Sequence, residues 1–323
     1  MAEEIREPIE PFGLSSKNRK KSLFSKIGVV GGGREGRNII NLTSSAGLDV
    51  TFIEINQERI DFCFKRLSAK FDQRIENWGI TPSEKKMILG RIKGSLEYAD
   101  LKDCDFVIEC IRYDEEKRRD TELRKQAFEQ IEQVVSPDAI IATNATTVVI
   151  SELAAGLKYK ERCVSLHFPI IHTEAKLLEI VKGAYTSEEV YNKVLLFAKL
   201  IKYETIDVNE SDGLVSMRMI IVLLNEACQM VMERIANMED INRLMIIDYG
   251  MRIGIFQMAD IIGVEKLVYL MEDMFNEYGD KKYKPNPVIW RLFRTKQFGR
   301  ATKRGFFLYE NDKIIGTNPL FKD

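Results

Sequence analysis

Seven short runs rich in β-branched and other apolar residues punctuate the first two thirds of the chain: 26–31, 49–55, 105–110, 139–143, 163–168, 176–181 and 203–208. Between them lie stretches with helical spacing. This alternation predicts a parallel or largely parallel sheet covered by helices. Between the second and third strands, Ile60, Phe64, Leu67, Phe71, Ile75 and Trp78 recur at steps of three and four, which predicts one buried helical stripe. A second helix is expected to start at Thr81-Pro82-Ser83-Glu84, where Thr81 can cap, Pro82 suits the first turn and Glu84 completes a capping box. The two read as a helical hairpin inserted in the α/β domain. After 207–213 the texture changes: residues 214–280 are rich in Met, Ile and Leu at helical spacing, with almost no strand signal. The segment Gly305-Phe-Phe-Leu-Tyr309 is expected to dock on that helical part.

The expected divisions are therefore a polar arm over 1–25, an α/β domain over 26–210 and a helical domain over 211–323. Composition adds exclusions. Lys plus Arg number 48 and Asp plus Glu 49, for a net charge of −1. The cationic surplus of a nucleic-acid coat is missing, so no nucleic-acid partner is expected. No window approaches 18 uninterrupted apolar residues, so no membrane span is expected. The acidic first residues lack the apolar core of a secretory signal. The five cysteines show neither a CxxC pair nor metal-like clustering, which points to reduced buried thiols, a cytoplasmic location and no metal site.

Gly31-Gly32-Gly33-Arg34-Glu35-Gly36 reads G-x-G-x-x-G, after a strand and at the opening of a helical run. That context is what a dinucleotide loop needs. Gly31 permits the tight turn, Gly33 lets the backbone approach a pyrophosphate, and Gly36 lets helix and sheet pack closely. Glu54 closes the second strand, 18 residues after Gly36, where it can accept hydrogen bonds from the adenosine ribose. A carboxylate there repels a 2′-phosphate, so NAD is expected rather than NADP.

The chain has only two histidines, His167 and His172. His167 ends a predicted strand, where open α/β sheets build sites. Glu179 follows 12 residues later in an otherwise apolar strand, where a buried carboxylate needs a partner. Neighbouring strands would bring the two together, and the carboxylate would fix the imidazole tautomer and raise its basicity toward a substrate hydroxyl. Spacing alone equally allows a structural histidine. His172 has no comparable partner and reads as a loop residue.

These residues, together with Val107-Ile108-Glu109-Cys110, Thr143-Asn144-Ala145-Thr146-Thr147, Gly254-Ile-Phe-Gln257 with Asp260 and Gly263, and Phe298-Gly299 followed by Gly305-Phe306, give the chain its likeness. Over about residues 25–310 it resembles the short-chain L-3-hydroxyacyl-CoA dehydrogenases, including 3-hydroxybutyryl-CoA dehydrogenases. The resemblance implies a Rossmann-type NAD-binding domain with an inserted helical hairpin, followed by an all-α C-terminal domain that forms a homodimer, with substrate in the cleft between. It implies His167 as catalytic base, Glu179 as its orienting partner, Thr146 as the hydroxyl beside the reacting oxygen and Asn144 near the nicotinamide. On the hairpin, where the family holds CoA, Arg66, Lys70 and Arg74 fall on one helix face and are candidate phosphate contacts; a solvated charged face is the alternative.

Departures from the family pattern surround the expected substrate. Met217 stands where the family has an asparagine, and a thioether donates no hydrogen bond. Losing such a donor costs on the order of 10² to 10³ in rate. Ser216 is adjacent, but one step along a helix turns about 100° away, so it is not expected to substitute. Ile170 and Tyr113 also depart from the pattern. The sequence thus leaves three readings: an NAD-dependent 3-hydroxyacyl-CoA dehydrogenase, a dehydrogenase of a hydroxy acid without CoA, and an NAD(H)-binding protein without turnover.

Overall fold

The computed structural model describes residues 23–111, 121–169 and 176–321. The calls on Tyr113, Ile170 and His172, and on residues 1–22 of the expected arm, lie outside these. The first domain runs β1 (Lys26–Val30), α1 (Arg34–Ser45), β2 (Asp49–Ile53), α2 (Gln57–Glu76), α3 (Pro82–Gly90), β3 (Ile92–Ser95), β4 (Phe106–Glu109), α4 (Thr121–Val134), β5 (Ile140–Thr143), α5 (Ile150–Ala154), β6 (Cys163–His167), β7 (Leu177–Lys182), α6 (Glu188–Leu200) and β8 (Glu204–Asn209). The strands form one sheet in the order β3-β2-β1-β4-β5-β6-β7-β8. All its pairings are parallel except β6 with β7.

β1 and β4 are apolar on both faces because helices cover both sides: Ile27, Val29, Phe106, Val107 and Ile108 are fully buried. Packing reaches back before β1. Phe24 is buried against the rings of Phe106 and Phe197, so the last residues of the expected arm belong to the core.

The hairpin of α2 and α3 forms as the sequence indicates. Asn56 caps α2, and Thr81 and Glu84 cap α3 reciprocally. The predicted stripe needs one correction. Ile60, Leu67 and Phe71 are buried, but Trp78 is 96% exposed. α2 ends at Glu76, and Trp78 sits in the connection with a left-handed backbone (φ +56°), off the helix periodicity.

The second domain runs α7 (Leu214–Met232), α8 (Met238–Ile247), α9 (Ile255–Ile262), α10 (Val264–Tyr278), α11 (Pro287–Arg294), β9 (Phe307–Glu310) and β10 (Lys313–Thr317). It is not all-α: β9 and β10 close it as an antiparallel hairpin. Its two-residue loop, Asn311-Asp312, has positive φ at both positions, the geometry that suits such a turn. Phe306, Phe307 and Tyr309 are buried, with the Phe306 ring 4.9 Å from that of Phe256.

The hairpin is held by Asp260, which accepts hydrogen bonds from the Phe306 and Phe307 amides (2.8 and 2.9 Å) and the Tyr309 hydroxyl (3.0 Å). Burial pushes this carboxyl up to about 7 in spite of those three donors. Among the described residues, α7 alone is long and apolar enough to cross a membrane. One face of it, with Met217, Ile221, Leu224, Ala227 and Cys228, packs among the other helices of the domain, and Met219 and Met232 on the rest of it are exposed.

Candidate active site

The turn after β1 is built by two glycines. Gly31 has φ +99°, and a Cβ on Gly36 would lie 1.8 Å from the carbonyl oxygen of Gly31. Helix and turn therefore touch through backbone, which only glycine allows. At Gly33, by contrast, an added Cβ would meet nothing within 4 Å. Gly33 is also the N-cap of α1, and no side chain caps it. The free amides and the positive end of α1 therefore face open space, the arrangement that receives a pyrophosphate. Glu54, just after β2, accepts the Gly32 amide at 2.7 Å and the Ile55 amide at 3.2 Å. Its carboxylate thus also pins the glycine loop, which the sequence did not indicate.

His167 and Glu179 are directly opposite each other in the antiparallel β6–β7 pair. Residues so placed share one face of the sheet. Glu179 is completely buried and His167 nearly so, and the His167 Nδ1 is hydrogen-bonded to Glu179 Oε2. Burial works against the charge on Glu179, but the hydrogen bond and charge of His167, and two hydrogen bonds from Ser216, outweigh it. The net effect holds the carboxyl below its ordinary range. Ser216 donates its amide to Oε1 at 3.0 Å and its hydroxyl to Oε2 at 2.9 Å. Ser216 is not in the cleft lining, as its turn along the helix led one to expect, and the side it faces holds Glu179, which the sequence did not indicate.

The cleft between the domains is lined by Asn144, Thr146 and His167 from one side and by Met217, Ile262 and Lys266 from the other. Asn144 Oδ1 is buried there without a hydrogen-bond partner among the described residues. Such an atom calls for a ligand donor. Thr146 is half-buried, and its carbonyl accepts the Gly213 amide at 2.8 Å, which ties the loop after β5 to the start of α7. The nucleotide loop is also tied across the cleft. Arg34 reaches the Ile261 carbonyl (3.4 and 3.5 Å), and Glu35 pairs with Lys266 at 3.5 Å.

Beside Asn144, Glu109 is fully buried and paired with Arg124 at 2.7 Å. It also accepts the Thr143 hydroxyl at 2.6 Å. The sequence singled out Glu109 only as part of an apolar motif. The pair holds the end of β4 against the end of β5, with Arg124 reaching the cleft.

Of the candidate residues, Asn144, Thr146 and His167 line the cleft and Glu179 stands behind His167, while Gly31, Gly33 and Gly36 belong to the neighbouring glycine loop, which Glu54 pins and whose Arg34 and Glu35 reach the lining. The basic residues of the hairpin do not join them there. Lys70 is hydrogen-bonded to Asn38 (3.0 Å) and Arg74 to Ser45 (3.0 Å), both on α1. Arg66 lies over the Phe62 ring. The three lie outside the cleft lining: Arg66 and Lys70 are exposed and Arg74 is half-buried, with α1 holding Lys70 and Arg74 by hydrogen bonds. Desolvation and the nearby Arg74 and Arg37 lower the pKa of Lys70.

Two family models match consecutive parts of the chain: the NAD-binding domain of 3-hydroxyacyl-CoA dehydrogenase over residues 26–211, and its C-terminal domain over 213–309. The chain belongs to the 3-hydroxyacyl-CoA dehydrogenase family. NAD is accordingly its cofactor, and the open space at Gly33, the uncapped α1 and the unpartnered Asn144 Oδ1 fit it. Among members of the family, the 3-hydroxybutyryl-CoA dehydrogenase of Clostridioides difficile is 30% identical over 284 residues, spanning 88% of this chain and 99% of the relative. The solved (S)-3-hydroxybutyryl-CoA dehydrogenase of Ralstonia eutropha is 29% identical, with a TM-score of 0.79 over 89% of this chain and all of that one. FadB2 of M. tuberculosis is 26% identical, with a TM-score of 0.84 over 89% of this chain and 99% of that one.

Proposed function

We propose that this dehydrogenase interconverts an L-3-hydroxyacyl-CoA and the corresponding 3-ketoacyl-CoA. The observation that carries the reading is the His167–Glu179 pair facing the cleft. With Nδ1 committed to Glu179, Nε2 is the nitrogen left to take the proton from a substrate hydroxyl. The Glu179 carboxylate then stabilises the imidazolium. NAD, held at the loop of Gly31, Gly33 and Gly36, would supply the hydride acceptor for the same carbon. In the reverse direction His167 returns the proton to the carbonyl oxygen. Thr146, on the cleft wall, supplies a hydroxyl for that oxygen, and Asn144 Oδ1 is left as an acceptor for a donor on the nicotinamide side. Consumption of NADH with acetoacetyl-CoA tests the reading: turnover is expected, and none with any short 3-ketoacyl-CoA would overturn it.

Two observations favour a second reading, a hydroxy-acid dehydrogenase without CoA. Met217 brings a thioether to the cleft wall, and Lys70 and Arg74 are already engaged by α1. Turnover of acetoacetate with no inhibition by free CoA would decide for it.

The chain is further expected to pair with a second copy through its helical domain. Met219, Ile247 and Tyr249 are 69%, 73% and 63% exposed in that domain, which supports such a pairing. Light scattering should give the mass of two chains. Five buried free thiols support a cytoplasmic location.

A further inference from the structure

We propose that Ser216 is a positioning residue for the reaction: from the second domain, its amide and hydroxyl together fix the Glu179 carboxylate against His167. The inference rests on the dehydrogenase reading above.

A carboxylate with no solvent exposure must find its hydrogen bonds within the protein. Among the described residues, Glu179 finds them from two side chains and one backbone group. Ser216 supplies the amide to Oε1 and the hydroxyl to Oε2, and His167 Nδ1 supplies the third. The Ser216 amide belongs to the first turn of α7, whose N-cap is Gly213. Amides there have no intrahelical acceptor, and the positive end of a 19-residue helix favours an anion. One residue therefore grips both oxygens and leaves the carboxylate a single orientation. The Ser216 hydroxyl is also 3.4 Å from His167 Nδ1, so Oε2, Oγ and Nδ1 form one compact group.

The consequence for chemistry is a proton held at a stated atom. With Oε2 fixed and ionised, the imidazole proton stays on Nδ1 and Nε2 is kept as acceptor. Ser216 does not touch the cleft. The next residue, Met217, does, and the turn of about 100° between them points the hydroxyl at Glu179. The grip also spans the two domains, since Glu179 is on β7 and Ser216 on α7. The grip on Glu179 is complete only when the helical domain is docked on the sheet.

The test uses the full chain with Ser216→Ala, Ser216→Thr and Ser216→Val. Thr and Val have nearly the same shape and differ in the hydroxyl. Steady-state kinetics with acetoacetyl-CoA and NADH should show kcat lower by about tenfold in the Ala and Val variants. Thr should stay near the parent, and KM for both substrates within about twofold throughout. The second readout needs no turnover. The chain has only two histidines, so the Nδ1 proton resonance of His167 can be followed after selective ¹⁵N-histidine labelling. It should shift in Ala and Val and not in Thr. Equal kcat in Thr and Val, or an unmoved resonance in Ala and Val, overturns the proposal. If the parent shows no turnover, the dehydrogenase reading fails, and the resonance alone still decides the role of Ser216. Should the Ala variant not fold, the Thr and Val pair carries the comparison.

Discussion

A Cβ on Gly36 would lie 1.8 Å from the Gly31 carbonyl oxygen, whereas one on Gly33, three residues earlier, would meet nothing within 4 Å. The two glycines of one loop therefore have different surroundings, one packed against backbone and one facing open space. Gly36→Ala should lower the melting temperature and NADH affinity together. Gly33→Ala should leave the melting temperature unchanged and weaken NADH binding at least about tenfold, because its methyl enters the space before α1. Thermal denaturation and isothermal titration check the pair. Unaltered NADH affinity in Gly33→Ala would mean that the nucleotide does not approach there.

His167→Gln should reduce kcat by roughly 10² to 10⁴, the usual range for a lost general base. Glu179→Gln should cost a comparable factor, because a neutral amide offers Nδ1–H a weaker acceptor. NADH affinity should stay within about twofold in both. Retained turnover in His167→Gln would place the base elsewhere.

Met217 is 5% exposed and packs with Ile221 and Met274 in the helical core while also reaching the cleft. Met217→Asn is expected to raise kcat on acetoacetyl-CoA by about tenfold, since an amide there can donate toward the reacting oxygen. It should also lower stability by about 1–3 kcal/mol, because a polar group enters an apolar cluster. Denaturant unfolding and initial rates measured on the same preparation separate the two effects.

Asp260 gives a pH dependence with a definite sign. Its carboxyl rises from the ordinary 3.8 to about 7 on folding. Between those values the folded chain holds more protons than the unfolded one, so stability falls as pH rises. The contribution is complete below about pH 4 and is lost as pH rises through about 7. Asp260→Asn does not titrate. The stability gap between parent and variant should therefore change by at least roughly 1 kcal/mol over that range. A constant gap would show that Asp260 titrates normally.

What could be read from the sequence was local. The nucleotide loop is six consecutive residues between a strand and a helix. The His167–Glu179 spacing needed only that two adjacent strands pair. Other elements left weaker marks. β3 reads Ile-Lys-Gly-Ser, too short and too polar for a period, and exists because β2 offers it a partner. The closing hairpin carried a usable sign, Asn311-Asp312 between two apolar runs, which a helical expectation for this region passed over. Ser216 was set aside because helix geometry tells which way a side chain points and not what waits there. Glu179 arrives only through the docking of two domains. The tie of Lys70 and Arg74 to α1 was likewise tertiary, since Asn38, Asn41 and Ser45 lie about 30 positions away along the chain.

The one antiparallel pairing in the sheet also sets an order of assembly. His167 and Glu179 are 12 positions apart, whereas the contact that joins the starts of β1 and β4, Lys26 with Asp105, spans 79. Closing the shorter loop loses roughly 1.7 kcal/mol less chain entropy. The His167–Glu179 pairing thus closes at a smaller entropy cost than the pairing of β1 with β4. It can form before the rest of the sheet is in register and, on the ribosome, before α7 has been made. The grip from Ser216 comes last, when the second domain closes over the first. A chain cut short after β8 would then carry the reactive residues already in place, without the contact that aims them.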